Sequence, residues 1–500
     1  VTIWKKNKSF KRWGPLGLAG LLVILSVRPN RTEAQDLNQT PADSIANFLS
    51  LRDSVLHSFS LDELERFRNY YSREITRLQN ERLELRKRGI RDGELFLSRK
   101  PTGKSGAKVM MRLAELYYEQ AQDDFQMEMQ EYDRLYGLYE RGERPQPPPE
   151  PRKNIGHALD LYLSVAEKYP NSELVDDAFF NIGFLLEEAG YADSSRSFFE
   201  KVVQDYPQSP LVPDALMRLG EYYFNPPVNA VETAIHYFER ILSFHASPRY
   251  NEALYRLGWC YYRINDYPRA IAFFTRLADD VEKTKPFDPE QKYTNPSLVD
   301  ESVEYIGLSF LDYGGAPRAA QYLQQIGGRD YGVNVLKRIG DAYFTEKEDY
   351  PNALQAFTLL LQLYPNAAIA PAVQTRIVQC YRRLEDQTMA FRAREELYNR
   401  YRQGTDWWTK NTDKEARQKA LLQVESALRD NITVLLNRGQ ETQQLEFFQQ
   451  AVLQSRKYLE SFPTDSSAAL IHWNLALTLD TKLKETQQAF EEYLKISNLY

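Results

Sequence analysis

The sequence predicts an all-α chain: a right-handed superhelical solenoid of helical hairpins behind an N-terminal helical, coiled-coil extension. Three observations carry that expectation. A glycine, a small residue about twelve positions later and a large apolar residue four beyond it recur in register. The recurrence interval, roughly 34 to 38 residues, is that of helix-turn-helix repeats. Tyr-Pro closes several of the units, and Leu64, Tyr71, Leu78 and Leu85 recur every seven residues ahead of the array.

Residues 1–34 address compartment. Lys5, Lys6, Lys8, Lys11 and Arg12 precede an uncharged run from Trp13 to Val27, and Arg28, Arg31 and Glu33 restore polarity. A basic start, a short apolar run and the segment ending at Ala34 resemble a secretory signal peptide. The run is shorter than the ~20 residues of a membrane span. The competing expectation is an uncleaved anchor, attached to the inner membrane through 13–27. No cysteine follows the run, so a lipid-modified N-terminus is not expected.

Residues 35–106 form the extension and a linker. The seven-residue stripe, with Leu61, Phe67 and Ile75 beside it and mixed Arg and Glu between, predicts a coiled-coil helix that self-associates through 61–85. Its seam is impure, because Arg68 and Arg82 occupy the companion position. The other option is a helix packed back on the first repeat. Gly89 and Gly93 predict a turn that ends it. Residues 107–150 read as a long helix to about Tyr139 and a connector stiffened by Pro145, Pro147, Pro148 and Pro149.

The regular array spans 151–380. Gly183, Gly220, Gly258, Gly307 and Gly340 precede Ser195, Ala234, Ala270, Ala319 and Ala353, and then Phe199, Phe238, Phe274, Leu323 and Phe357. An earlier half-unit gives Ala158, Tyr162 and Val165 before Tyr169-Pro170. The small residues let two antiparallel helices approach, and the aromatic is expected to fill the space between one hairpin and the next. Asn225-Pro226-Pro227 and the stretch Lys283 to Pro296 should make junctions irregular. Residues 381–500 are degenerate until Trp473, Ala489 and Tyr493 restore the pattern, which predicts a last unit left incomplete at Tyr500.

These segments resemble tetratricopeptide (TPR) repeats, from about residue 139 to 500. Within that class, Tyr169-Pro170-Asn171-Ser172 and Tyr206-Pro207-Gln208-Ser209 resemble bacterial envelope members: BamD-like outer-membrane assembly proteins and Tol-Pal coordinator proteins. The stretch Met111 to Glu119 is similar to repeat openings of gliding-motility TPR proteins. The resemblance implies a noncatalytic periplasmic scaffold for envelope proteins or peptide segments. The alternative of a different class is a regulatory module for a cell-wall, secretion or motility enzyme or machine, whose active part lies in a partner or beyond residue 500.

Chemistry is weakly signalled, so no catalytic, cofactor or metal residues are expected. Gly103-Lys104-Ser105 has Ser98 where a phosphate loop needs its first glycine, and no strand precedes it. His57, His157, His236, His245 and His472 are isolated, without metal-ligand spacing. Cys260 and Cys380 lie several repeats apart, too far for a disulfide, and read as buried fillers. The formal charge of −6 disfavours nucleic acid. Arg382, Arg383, Arg392, Arg394, Arg400 and Arg402 alternate with Glu385, Asp386, Glu395 and Glu396, which reads as a solvated, ion-paired helix surface that an acidic peptide can approach. The groove contacts expected on first helices are Tyr223, Arg256, Tyr262 and Arg263, since an aromatic face with a hydroxyl and a cationic fork both suit peptide recognition.

Overall fold

In the computed structural model, residues 61–101 and 103–499 are described. The signal or anchor segment, its 13–27 run and residues 35–60 lie outside them. All regular structure among the described residues is helical, in twenty α-helices and two π-helical turns. The described residues divide into two units, with the boundary between Arg88 and Gly89. No described helix is long and apolar enough to cross a membrane.

The first helix, α1 (Leu61–Ser98), runs without a break through Gly89 and Gly93. The expected turn is absent because those glycines serve close approach. A Cβ on Gly89 would come within 3.0 Å of Leu116, and one on Gly93 within 3.3 Å of Leu113. Both leucines belong to α2 (Lys104–Glu140), where Ile90 packs on them. Only the front of α2 is buried, as far as Ala121. Its distal half is followed by the proline segment, which turns back beside it and brings the Lys153 ammonium to 5.3 Å from the Tyr118 ring centroid and 5.9 Å from that of Phe125.

Helix pairs then follow one another: α3 (Gly156–Lys168) against α2, α4 (Val175–Glu188) with α5 (Ala192–Asp205), α6 (Val212–Phe224) with α7 (Val231–Ile241), and α8 (Arg249–Arg263) with α9 (Tyr267–Thr284). Next come α10 (Ser297–Asp312) with α11 (Gly315–Gln325), and α12 (Gly332–Asp341) with α13 (Tyr350–Leu363). Pairing continues through the degenerate region in α14 (Ala370–Arg383) with α15 (Gln387–Tyr401), then, after the short α16 (Asp406–Lys410), in α17 (Lys414–Thr442) with α18 (Leu445–Ser461) and α19 (Ala468–Thr478) with α20 (Thr486–Leu499). Local sequence starts the second helices. Asp266, Asp349 and Asp386 cap α9, α13 and α15 by accepting from the amides of Arg269, Asn352 and Met389, and proline sits in the first turn of α9 and α13, where its missing N–H costs nothing.

The repeating residues lock each pair from within. Phe199, Phe238, Phe274 and Phe357 lie over Gly183, Gly220, Gly258 and Gly340 of their own hairpins, so that a Cβ would fall 2.8 Å from the ring at Gly183 and 2.5 Å at Gly258. This corrects the expectation that the aromatic fills the space between hairpins. The glycine leaves a slot in the first helix, and the ring of the second helix is the part that fits it. Gly307 works differently, since its Cβ would meet Val335 O and Arg338 of the next first helix at 3.1 Å. The tyrosine of Tyr-Pro reaches back to the start of its repeat. Tyr364 covers Gly332 and donates to Arg329 O at 3.0 Å, and Tyr169 covers Gly106 and donates to Pro101 O at 2.7 Å.

One apolar core runs from Phe199 to Ala427 through these pairs. A face buried by neighbours on both sides is what makes a single hairpin dependent on the array. Cys260 and Cys380 are buried free thiols within it, and burial pushes each up to about 12. Arg394 does not lie on a solvated surface. It is 5% exposed, and its Nη1 donates to Asn431 Oδ1 at 3.2 Å where α15 meets α17. Long irregular segments are also fixed: the Asp288 carboxylate accepts from the amides of Lys292, Tyr293 and Thr294 at 2.8 to 2.9 Å.

Candidate protein-binding surface

The first helices of successive pairs carry opposite charges that meet across the junctions. Arg218 of α6 lies 3.7 Å from Glu187 of α4. Arg249 and Arg256 of α8 donate to Asp214 and Glu221 of α6, both at 2.7 Å. Arg338 of α12 reaches Glu304 of α10 at 3.1 Å and Glu346 of the π-helical turn Ala342–Glu346 at 2.8 Å. Arg376 of α14 stands 3.7 Å from Asp341 of α12. Pairs of this exposure contribute about 0–1 kcal/mol each. Their larger effect is geometric, because each rung pins one first helix to the last.

Between α8 and α10 the rungs are aromatic. The Trp259 and Tyr305 ring centroids are 4.2 Å apart, and Tyr262 stands edge-on to Tyr305 at 5.2 Å. Such pairs contribute about 0.5–1.5 kcal/mol beyond burial. The result is a wall of first helices held by charge at some junctions and by rings at another.

The four expected groove residues all belong to this wall and do not converge on one point. Tyr223 is half-buried, stacked parallel on Tyr237 of α7 with centroids 5.4 Å apart. Arg256 spends its guanidinium on Glu221. Tyr262 also touches Trp259 and Tyr267. Arg263 is exposed at the end of α8; it donates to Phe224 O at 2.7 Å and to Asn229 Oδ1, and lies over the Phe224 ring, which holds the Asn225–Ala230 loop in place.

Hollows in the wall are open and of mixed charge. One of about 490 Å³ is lined by Glu187, Asp193, Arg196, Arg218, Glu221 and Tyr222. Burial holds the Glu187 carboxyl above the ordinary carboxylate range, with Arg218 opposing that shift. Among the described residues, no cluster of His, Cys, Asp and Glu is placed to hold a metal ion. Lys104 of the Gly-Lys-Ser triplet pairs with Glu173. His472 is buried, 2.7 Å from Glu492, inside the α19–α20 pair.

Sequence reading named the wall but not its rungs. A signal was available: the partners of Arg249, Arg256 and Arg338 lie 35, 35 and 34 residues earlier, one repeat length in each case. Opposite charge recurring at the repeat period marks first helices that touch.

Comparison with known proteins comes to the same repeat. Residues 177–209 and 229–289 each match a tetratricopeptide repeat family. No curated protein matches the chain. Among solved structures, the C-terminal part of a TPR repeat-containing protein from Cytophaga hutchinsonii is similar at 18% identity and a TM-score of 0.28, over 58% of this chain and 96% of that one. A tetratricopeptide repeat protein from Parabacteroides merdae is similar at 12% identity and a TM-score of 0.23, over 72% and 99%. The APC/C hetero-tetramer Cut9-Hcn1 is similar at 17% identity and a TM-score of 0.21, over 64% of this chain and 52% of that one.

Proposed function

We propose that this TPR-repeat chain is a noncatalytic scaffold that arranges partner proteins of a bacterial envelope complex, from the periplasm. The observation that carries it is the wall of first helices, pinned junction by junction through ion pairs and stacked rings. A surface whose backbone is already fixed loses little entropy when a partner's segment lies along it. The mixture of charge and tyrosine suits peptide or helix recognition. The export segment and the Tyr-Pro-x-Ser endings support the envelope as the place.

A second copy of the chain is a further partner under this reading. The heptad stripe of α1 stays exposed, with Tyr71 at 44%, Leu78 at 54% and Leu85 at 62%. A seam of that period is what a partner helix covers.

The test is co-purification from the native envelope with the wild-type chain and with Glu301→Lys and Lys337→Glu, which reverse charges on the wall. The reading expects a defined partner set that the reversals deplete. Partners retained unchanged by both substitutions reject the wall as the binding surface.

A further inference from the structure

The charge pairing of the wall includes Arg376 of α14 but does not reach the last turn of that helix. Arg218, Arg249, Arg256, Arg338 and Arg376 each meet a carboxylate of the preceding first helix or of the turn beside it. Arg382 and Arg383, in the last turn of α14, meet none among the described residues. Both line an open cleft of about 540 Å³, together with Phe344, Arg376 and Gln379.

Each wall of this cleft has a traceable origin. The π-helical turn Ala342–Glu346 follows α12 and carries Phe344 to the cleft; π-turns recur at functional sites because they redirect side chains from a regular helix. Arg376 lies over Phe344, its guanidinium carbon 5.1 Å from the ring centroid. It also donates from Nη1 to Gln379 Oε1 at 3.0 Å, which fixes the fork. Arg383 lies 5.9 Å over the Tyr350 ring. Two more guanidinium groups therefore sit beside one whose carboxylate partner among the described residues, Asp341, is 3.7 Å away. The residues that line the cleft include three arginines and no carboxylate, on a chain whose formal charge is −6.

Guanidinium forks bind carboxylates through two parallel N–H donors, which makes them selective for planar acids. Phe344 adds an apolar patch, and the Gln379 amide nitrogen adds a donor within the same cleft. We propose that this cleft takes an acidic peptide segment of a partner protein, seating its carboxylates on Arg382 and Arg383 and an apolar side chain against Phe344. The proposal rests on the scaffold reading above and names the chemistry of one ligand. Duplex nucleic acid fits less well, because it needs an extended track of unpaired cations, and the adjoining rungs supply Asp341 and Glu304.

The test uses the full chain and a fluorescent synthetic peptide alternating Asp and Leu, followed by anisotropy. A control peptide alternates Asn and Leu. The Asp peptide should bind, and the Asn peptide should bind at least about tenfold more weakly, as expected for loss of charge-assisted hydrogen bonds. Arg382→Glu/Arg383→Glu should weaken the Asp peptide by about 30-fold or more, while Arg382→Lys/Arg383→Lys should fall between, since charge remains and the fork is lost. Arg392→Glu, exposed on α15, should change nothing. Far-UV circular dichroism confirms that each variant is folded.

Equal binding of the Asp and Asn peptides overturns the proposal, as does a folded double Glu variant with wild-type affinity. Displacement of the peptide by inorganic phosphate at constant ionic strength also overturns it, in favour of a general oxyanion site, and binding to anionic vesicles but not to the peptide assigns the cleft to membranes instead. The two levels separate cleanly. Envelope partners that co-purify equally with the double Glu variant leave the scaffold standing and reject the cleft, whereas a wild-type chain that captures no partner rejects the scaffold while the titration still judges the cleft.

Discussion

Replacing Gly258 by alanine isolates the interlock that defines each helix pair. In an open helix the change stabilises by about 1 kcal/mol, because glycine loses more backbone freedom on folding than alanine. At Gly258 the new Cβ would stand 2.5 Å from Phe274, a ring that is fully buried against the same slot. Displacing such a ring costs about 1–3 kcal/mol, so the net expectation is a loss of about 1 kcal/mol. Gly137 is the control: it lies in α2, and a Cβ there would meet only the tip of Arg141, at 3.6 Å, so Gly137→Ala should gain a few tenths to about 1 kcal/mol. Long arrays unfold in more than two states, so the assay is local opening of α8 and α9 by native-state hydrogen exchange. A Phe274→Leu background should remove the Gly258→Ala penalty, with a coupling of about 0.5–3 kcal/mol. Gly258→Ala that stabilises as much as Gly137→Ala, or a coupling of zero, refutes the interlock.

Three other outcomes follow from specific contacts. Asp279 accepts two hydrogen bonds from Arg329, at 2.8 and 2.9 Å, and one from Tyr331. The Arg329 pair holds its carboxyl below the ordinary range, against the opposing effect of burial. A depressed acid stabilises above its unfolded pKa of about 3.9. Asp279→Asn should therefore cost about 2 kcal/mol at pH 7, and its difference from wild type in local opening of α9, read by native-state hydrogen exchange, should shrink as pH falls below about 4; a difference constant with pH contradicts the pairing. Arg394 is buried, its Nε lacks a hydrogen-bond partner, and burial holds its pKa below the usual guanidinium value. Exchange for an apolar residue of similar length removes the unpaired Nε but leaves the buried Asn431 Oδ1 without its donor, so Arg394→Met should lose about 1 kcal/mol while Arg394→Ala loses about 3 kcal/mol; equal losses in both reject that reading. On α1, Leu78→Asp with Tyr71→Asp should convert a self-associated species to monomer in light scattering after size exclusion, and a wild-type monomer at high micromolar concentration removes the second copy as a partner.

The fold was legible because its determinants repeat. Gly220, Ala234 and Phe238 announce one hairpin, and the same triplet announces the next, so a weak local signal became strong by recurrence. What the triplet could not say was which gap the ring fills. Helix spacing alone suits a ring facing its own hairpin or its neighbour, and only the slot at Gly183 or Gly258 decides. Gly89 and Gly93 misled for the same reason, since a glycine that admits Leu116 looks in sequence like one that ends a helix.

The wall was harder to read. Tyr223, Arg256 and Tyr262 were identifiable as first-helix residues, yet whether a cation is engaged depends on a carboxylate one repeat away. Arg394 and Arg382 are separated by a short turn and look alike as charges in a mixed-charge segment. Packing of α17 over α15 buries the first, and the end of α14 leaves the second in an open cleft. That difference is tertiary, and the local pattern carries no trace of it.

The account depends most on successive helix pairs sharing buried faces. The direct measurement is hydrogen exchange across the whole chain in Phe238→Ala, which empties the slot between α6 and α7. Protection should fall in that pair and also in α4–α5 and α8–α9, fading toward a preserved α19–α20. Loss confined to α6 and α7, with both adjoining pairs as protected as in the wild type, contradicts shared packing and with it the wall on which the proposed binding rests.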